Sequence, residues 1–169
     1  WNTITAGGTI VNDGKMLTIT SEANKFAYLE SPISDFNSVQ ATVNTGNDQG
    51  ATWGPGITVV WPNSTIKVNV RHGNRFGGYF NGTFNINIGQ VQPNTDYTLR
   101  IRKSIAKTWI GEVKDENNRW HTVIELPMSI FPSPPISIRI GKSDTNGNPS
   151  NHTDAGPAGT CTFKNFKQD

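Results

Sequence analysis

Aromatic and basic residues surround one predicted β-hairpin, at positions where a turn needs only small polar side chains. The hairpin lies in the stretch GPGITVVWPNSTIKVNVRHGNRFGGYF, where two runs of β-branched residues predict strands joined at a Pro-Asn turn. An aromatic ring can stack on the apolar face of a sugar, while Asn, Arg and His can hydrogen-bond its hydroxyls. The residues concerned are Trp53, Trp61, His72, Arg75 and Tyr79. We interpret them as the rim of a sugar-binding site, although each ring alone is equally suited to packing at the end of a domain.

Polar and basic residues also alternate with apolar residues along the predicted strands. Alternate side chains point to opposite sides of a sheet, which places Val68 on one side and Lys67 and Asn69 on the other. The apolar sides predict a core of Val39, Ala41, Val43, Ile66, Val68, Val70, Tyr97, Leu99, Ile101, Ile136, Ile138 and Ile140. If these strands share one sheet, its other face is a basic platform. The platform residues are Lys67, Asn69, Arg71, Arg100, Arg102 and Arg139. The alternative is an ordinary solvated face whose cations pair with carboxylates such as Glu112 and Glu125.

The sequence contains no recognisable catalytic constellation. Glu112, Asp115 and Glu116 span a predicted strand end and turn, so they diverge, whereas a glycosidase holds two carboxylates on opposite sides of one bond. The histidines have no metal-ligand spacing, and neither a nucleophile elbow nor a phosphate-binding loop is present. The segment Asp144–Asn148 weakly resembles a calcium loop, which leaves a structural calcium ion open. We predict no catalytic residue, no metal site and no other cofactor.

The composition predicts an all-β protein. The chain has 169 residues, 17 of them Gly and 10 Pro, and its apolar residues alternate in short runs that turn residues interrupt. We predict a single domain, 1–169, folded as a two-sheet antiparallel β-sandwich of the jelly-roll type, with about a dozen strands. Trp109 and Trp120 lie within predicted strands and are expected to pack in or between the sheets. The one cysteine, Cys161, is expected to be a buried thiol.

Charge and targeting signals limit the partners. The formal net charge of +2 lacks the strong basic excess of a nucleic-acid-binding protein, and no apolar run approaches the ~20 residues of a membrane span. The chain begins at Trp1 without a signal peptide, and Asn-x-Ser/Thr sequons occur at Asn63, Asn81 and Asn151. We therefore expect a monomeric mature or excised domain of a larger secreted or cell-surface protein, without nucleic-acid or membrane partners.

The ordered series VNDGKMLTIT, FAYLES, GPGITVVWPNSTIKVNV, YTLRIRKSIAKTWIGEVKDENNRW and CTFKNFK resembles concanavalin A-like (laminin G-like) jelly rolls. The resemblance is greatest to versions appended to secreted bacterial polysaccharide-degrading enzymes. It implies that carbohydrate binds on the concave sheet, here the basic platform, or at its rim. The Glu-x-Asp-x-x-Glu triplet of laminarinase-like members is absent, as are the Arg, Gln-x-His and Tyr-rich motifs of the alginate-lyase branch.

These observations favour non-catalytic binding of a polysaccharide, acidic if the basic platform forms. Such a domain would keep a secreted multidomain enzyme near its glycan. One alternative is a glycoside hydrolase or polysaccharide lyase whose site the sequence does not reveal. Another is an adhesion or structural domain of the cell surface.

Overall fold

A computed structural model describes residues 1–46, 54–70, 75–143 and 159–169, except for the side chains of Asn24 and residues 84–87. Three predicted site residues, Trp53, Arg71 and His72, lie outside the described residues, as does the calcium-loop candidate Asp144–Asn148. The placement of these residues therefore stays a prediction.

The described residues form twelve strands and one single-turn 3-10 helix, Met128–Ile130. The strands are β1 (Asn2–Asn12), β2 (Leu17–Pro32), β3 (Ser38–Asn44), β4 (Gly56–Trp61), β5 (Ser64–Asn69), β6 (Phe76–Phe80), β7 (Thr83–Ile88), β8 (Asp96–Lys103), β9 (Thr108–Lys114), β10 (Trp120–Pro127), β11 (Ser137–Lys142) and β12 (Gly159–Gln168). The predicted all-β composition is confirmed. Within the described ranges, no helix is both long and apolar enough to cross a membrane.

The strands join in one antiparallel sheet that is nearly closed. Its order is β10-β9-β8-β3-β12-β2-β11-β4-β5-β6-β7, and β1 pairs with β2 outside this path. Strand β2 joins the two halves because its first part pairs with β12 and its last part pairs with β11. At the other ends of the order, β10 contacts β6 and β7. The sheet therefore wraps around one main core, and Phe26 and Tyr28 form a smaller cluster with Ile4 and Ala6.

The core is built from the apolar side of each strand. All of the predicted core residues are buried except Ile136, which precedes β11 and is 50% exposed. Trp109 and Cys161 are buried, as predicted. The Trp109 ring packs against Phe36, with 4.9 Å between the ring centroids.

Closure of the sheet requires a residue without a side chain at position 78. Gly78 in β6 faces β10, and a methyl group there would overlap the carbonyl oxygen of Val123 and lie 2.7 Å from its carbonyl carbon. Backbone atoms cannot move aside as a flexible side chain can. Gly78 therefore lets the two ends of the strand order approach each other.

We expect Gly78→Ala to lower the free energy of unfolding by about 2–3 kcal/mol, because overpacking of a fitted contact forces backbone shifts. Gly14→Ala is the control. Its methyl group would meet no atom within 4 Å, although its φ of +86° adds strain of about 1 kcal/mol. Urea denaturation measures both variants, and equal losses would contradict the role of Gly78 in closure.

Candidate functional site

The structure divides the predicted site residues between two outer faces on opposite sides of the core. In β8, Leu99 and Ile101 are buried in the core, so Arg100 and Arg102 point outward. In β5, Ile66 and Val68 are buried in the same core, so Lys67 and Asn69 point outward in the opposite direction. The expectation of one basic platform is wrong, because the sheet folds over and places β5 and β8 on opposite sides of the core.

We call the first surface the Lys67 face; it is the outer side of β11, β4, β5 and β6. Lys67 and Asn69 are fully buried there, and Tyr79 is buried beside them. The register pairs Lys67 with Tyr79 and Asn69 with Gly77. Asn69 and Tyr79 both lean over Gly77, since a methyl group at that glycine would lie 2.5 Å from Asn69 Oδ1 and 2.9 Å from Tyr79 Cε2. Three predicted site residues are thus brought together, but below the surface.

Contacts on the Lys67 face hold the chain that leaves β11. The Lys67 ammonium donates a hydrogen bond to the carbonyl oxygen of Ser143, and the hydroxyls of Thr58 and Ser143 lie 3.0 Å apart. Beside them, Arg139 Nε donates a 2.8 Å hydrogen bond to Glu30 Oε1. Lys67 and Thr58 thus bind Ser143, directly after β11, while Arg139 joins β11 to β2. The contact with Ser143 gives the buried lysine a structural role that requires no ligand.

Two predicted rim residues are accounted for differently. Trp61 is buried, with its ring centroid 4.3 Å from that of Phe131 and 5.4 Å from that of Trp109, so its expected exposure at the rim is wrong. The reason is alternation, since β4 continues through Trp61 and places it on the same side as Ile57 and Val59. Arg75 precedes β6 and is exposed.

We call the second surface the Arg100 face; it is the outer side of β3, β8, β9 and β10. Glu112 lies opposite Arg100 in the register of β8 and β9. Its buried carboxylate accepts four hydrogen bonds. Arg100 donates from Nε (3.0 Å) and Nη2 (2.7 Å), and Arg102 donates from Nε (2.9 Å) and Nη2 (3.0 Å). One carboxylate therefore fixes two guanidinium groups side by side.

The electrostatics keep Glu112 ionised. Burial alone would raise the pKa of its carboxyl group, but hydrogen bonds from Arg102 and Arg100 outweigh burial and hold that pKa below its usual range. The hydrogen bond with Glu112 likewise raises the pKa of Arg102. Both arginine side chains are partly exposed, and each guanidinium has further N–H donors besides the two that bond Glu112.

Trp120 adds an exposed ring to the Arg100 face. The guanidinium carbon of Arg100 lies 3.9 Å from the ring centroid, and Lys114 Nζ lies 5.3 Å from it. The side chain is 36% exposed, so the expected packing role of Trp120 is wrong. The register shows why, since Trp120 pairs with Lys114 on the outer side of β9 and β10, where no further layer covers the ring among the described residues.

The turn between β9 and β10 holds Trp120 in place. Asp115 accepts hydrogen bonds from His121 Nε2 (2.8 Å), Arg119 Nε (3.1 Å) and the backbone N–H groups of Asn117 and Arg119. The hydrogen bond from His121 is the largest cause that holds the pKa of Asp115 well below its usual range. Glu112 and Asp115 therefore bind different partners: Glu112 holds the two arginines of β8, and Asp115 holds the turn between β9 and β10.

Neighbouring side chains extend the polar surface toward β3. The hydroxyls of Thr42 and Thr98 lie 3.4 Å apart, and Gln40 lies opposite Arg100 in the register. The arrangement can contact the apolar side of a ligand at Trp120 and hydrogen-bond its polar groups through the arginines, hydroxyls and the amide.

Comparisons with solved structures find the same fold at low sequence identity. The carbohydrate-binding module CBM66 from Bacillus subtilis matches with a TM-score of 0.60 and 15% identity, covering 99% of this chain and 94% of that chain. A legume lectin-like domain from Entamoeba histolytica matches with a TM-score of 0.55 and 14% identity, covering 98% and 87%. A mutant of alginate lyase Aly36B in complex with alginate trisaccharide matches with a TM-score of 0.53 and 11% identity, covering 98% and 92%.

This chain has a jelly-roll fold. The predicted resemblance to concanavalin A-like jelly rolls is confirmed by these structures, which include sugar-binding domains. Peptidases of the eqolisin family also share the fold. No family model and no curated protein sequence matches the chain.

We expect Glu112→Gln to lower the free energy of unfolding at neutral pH by about 1–3 kcal/mol, because it weakens the charge-assisted hydrogen bonds to two arginines. The folded-state pKa of Glu112 is depressed, so its stabilisation is present above the unfolded-state pKa and is lost as pH falls through the folded-state pKa. The difference between wild type and variant should therefore shrink in acid.

Glu125→Gln is the control, since Glu125 on the same face accepts a hydrogen bond from the Thr108 hydroxyl and is exposed. Urea denaturation across a pH series measures all three proteins. A Glu112→Gln loss that stayed the same at low pH would show that the ionised carboxylate is not responsible.

Proposed function

We propose that this chain binds a polysaccharide on the Arg100 face and does not cleave it. The observation that carries the proposal is the exposed Trp120 ring beside Arg100, whose guanidinium is held next to that of Arg102 by the buried Glu112 carboxylate. An exposed ring next to fixed donors matches the two sides of a sugar, one apolar and one polar. The carbohydrate-binding module and lectin-like domain among the structures with this fold give further support.

The fixed geometry favours affinity. Side chains that are already ordered lose little conformational entropy when a ligand arrives, so binding retains more of the contact energy. Glu112 orders both arginines before any ligand is present. A flexible surface arginine would have to be ordered at the moment of binding instead.

The charge balance favours an acidic polysaccharide. Arg100, Arg102 and Lys114 carry three positive charges around Glu112 and Trp120, against the negative charges of Glu112 and of Glu125, which also acts on Arg102. A carboxylate on a sugar would gain charge-assisted hydrogen bonds from the guanidinium groups that a neutral glycan cannot offer. We therefore propose uronic-acid polysaccharides as the ligand class.

The absence of cleavage rests on how the carboxylates of the described Arg100 face are used. Glu112 is ionised and bonded to two arginines, so it cannot donate the proton that departure of a sugar requires. Glu125 is hydrogen-bonded to Thr108 on the neighbouring strand. Asp96, on the outer side of β8, is bonded to Lys164 and Asn44. None of these three carboxylates has the arrangement of an acid and base placed across one bond.

A polysaccharide lyase that uses the Lys67 face is the second candidate. A lyase needs a base and groups that neutralise a carboxylate, and Lys67 lies directly opposite Tyr79 with Asn69 beside them. Alginate lyases share the fold. These side chains are buried, so this activity requires a ligand to displace what covers them.

The wider setting is proposed on the same basis. We propose a monomeric module in which two packed layers of the jelly roll support the binding surface. It would act outside the cell or at its surface, keep a larger glycan-degrading enzyme near its substrate and need no cofactor.

We expect Trp120→Ala to weaken binding to the preferred polysaccharide by about 1–2 kcal/mol, the contribution of one stacked ring. The free energy of unfolding should change little, since the ring is partly exposed. Trp1→Ala is the matched control, because it removes another exposed tryptophan that is far from Trp120 in the sequence. Affinity gel electrophoresis measures the three proteins. If Trp120→Ala were retarded as strongly as the wild type, the binding site would not include Trp120.

We expect Arg102→Gln to reduce binding to an acidic polysaccharide more than binding to a neutral one, because charge-assisted hydrogen bonds are lost. Binding of the wild type to the acidic glycan should also fall as salt shortens the screening length to about 8 Å at physiological ionic strength. Lys107→Gln, an exposed lysine in the β8–β9 turn, is the control for charge alone. The same panel should be assayed for unsaturated uronate products. Product formation that requires Tyr79 would favour the lyase, and salt-independent binding to neutral glycans alone would overturn the acidic ligand.

A further inference from the structure

A separate pocket lies where the two ends of β1 converge. Trp1 precedes β1, and Met16 follows the turn after β1. A straight strand of 11 residues would span about 36 Å, yet both residues line one cavity of about 380 Å³. The strand bends at Gly7, whose φ is +77°, and the register with β2 shifts between Ala6 and Gly8. We call this cavity the Trp1 pocket.

The mouth of the Trp1 pocket carries exposed apolar side chains. Trp1 is 52% exposed, and Met16 and Phe166 are each 38% exposed. The Trp1 and Phe166 rings meet edge to face, with centroids 5.0 Å apart. Asn165 has a φ of 55° within a bulge of β12, which re-aims the following Phe166 side chain. Trp1, Met16 and Phe166 together form an apolar patch at the mouth, and its exposure to water is unfavourable.

The floor of the Trp1 pocket is apolar. It includes Leu29, Ile140 and Phe163, all of which pack with the hydrophobic core. These three side chains offer no partner for sugar hydroxyls, which would lose hydrogen bonds against them, although the amides of Asn12 and Asn165 also line the pocket. A hydrocarbon body fits instead. An aromatic ring is favoured over an alkyl chain, since it can join the edge-to-face pair and contact the Met16 thioether.

The charges at the mouth are positive. The charged residues that line the pocket are Lys15 and Lys164. Lys164 Nζ lies 2.6 Å from Asp96 Oδ2, whereas Lys15 makes no ion pair within the described ranges. The nearby Asp13 carboxylate accepts hydrogen bonds from the backbone N–H groups of Lys15 and Met16. Lys15 is therefore the group that can meet an anionic head.

We propose that the Trp1 pocket binds a small aromatic carboxylate. Its ring lies against Trp1, Phe166 and Met16, and its carboxylate lies beside Lys15. The volume falls within the range of small-molecule sites. This site is independent of the Arg100 face and of the glycan proposed there.

The test uses the chain's two methionines as reporters. Met16 is at the pocket, while Met128 lines another cavity with Trp61, Trp109 and Phe131. In protein labelled with ¹³C at the methionine methyl groups, NMR titration with 3-phenylpropanoate should shift the Met16 signal saturably and leave Met128 unmoved. The neutral 3-phenylpropanol and the ring-free hexanoate should each bind several-fold more weakly.

Charge reversal separates the head group from the ring. Lys15→Glu should weaken 3-phenylpropanoate about fivefold and leave 3-phenylpropanol unchanged, in keeping with an exposed ion pair. Lys107→Glu, an exposed lysine in the β8–β9 turn, is the matched control and should change neither. The proposal would be overturned if the Met16 signal did not move or if hexanoate bound more tightly than 3-phenylpropanoate. It would also be overturned if both variants bound 3-phenylpropanoate and 3-phenylpropanol equally well.

Discussion

A strand that buries alternate side chains in a shared core must present the others on the outside, and this constraint decides where the candidate residues of the described strands lie. The nearly closed sheet surrounds one core, so β5 and β8 face each other with Val68 and Leu99 inside. Lys67 and Arg100 consequently lie on opposite sides of the molecule. A single surface cannot use both, and the candidate sites separate into a buried face and an accessible one.

Within the accessible face, Glu112 is the residue on which the geometry depends. Its burial would disfavour a charge, but two arginines supply four hydrogen bonds and reverse that preference. In return, the carboxylate fixes both guanidinium groups and positions Arg100 against Trp120. The hydrogen bonds between Glu112 and the two arginines therefore both stabilise the fold and order the side chains that would bind a ligand.

Much of the fold follows from the sequence, because alternation and turn residues are local signals. The buried positions of Val39, Leu99 and Ile138 follow from it directly. Alternation also places Trp61 on the same side as Ile57 and Val59. We instead assigned Trp61 to the rim because it lies next to the turn. The roles of Glu112 and Trp120 could be recognised only from the hairpin registers, which pair Glu112 with Arg100 and Trp120 with Lys114. The opposition of Lys67 and Arg100 depends on the path of the whole sheet, which no local pattern specifies.

The central claim is that a glycan contacts the Arg100 face at Trp120. NMR of the five tryptophan indole N–H groups tests it most directly, during titration with an oligosaccharide of uronic acids. The account predicts that the Trp120 signal shifts saturably while the signals of the buried Trp61 and Trp109 stay in place. The same ¹H–¹⁵N spectrum contains the backbone amide signals. A titration that shifted the backbone amide signals of Tyr79 and Asn69 and left the Trp120 indole signal unmoved would place the glycan on the Lys67 face and contradict the account.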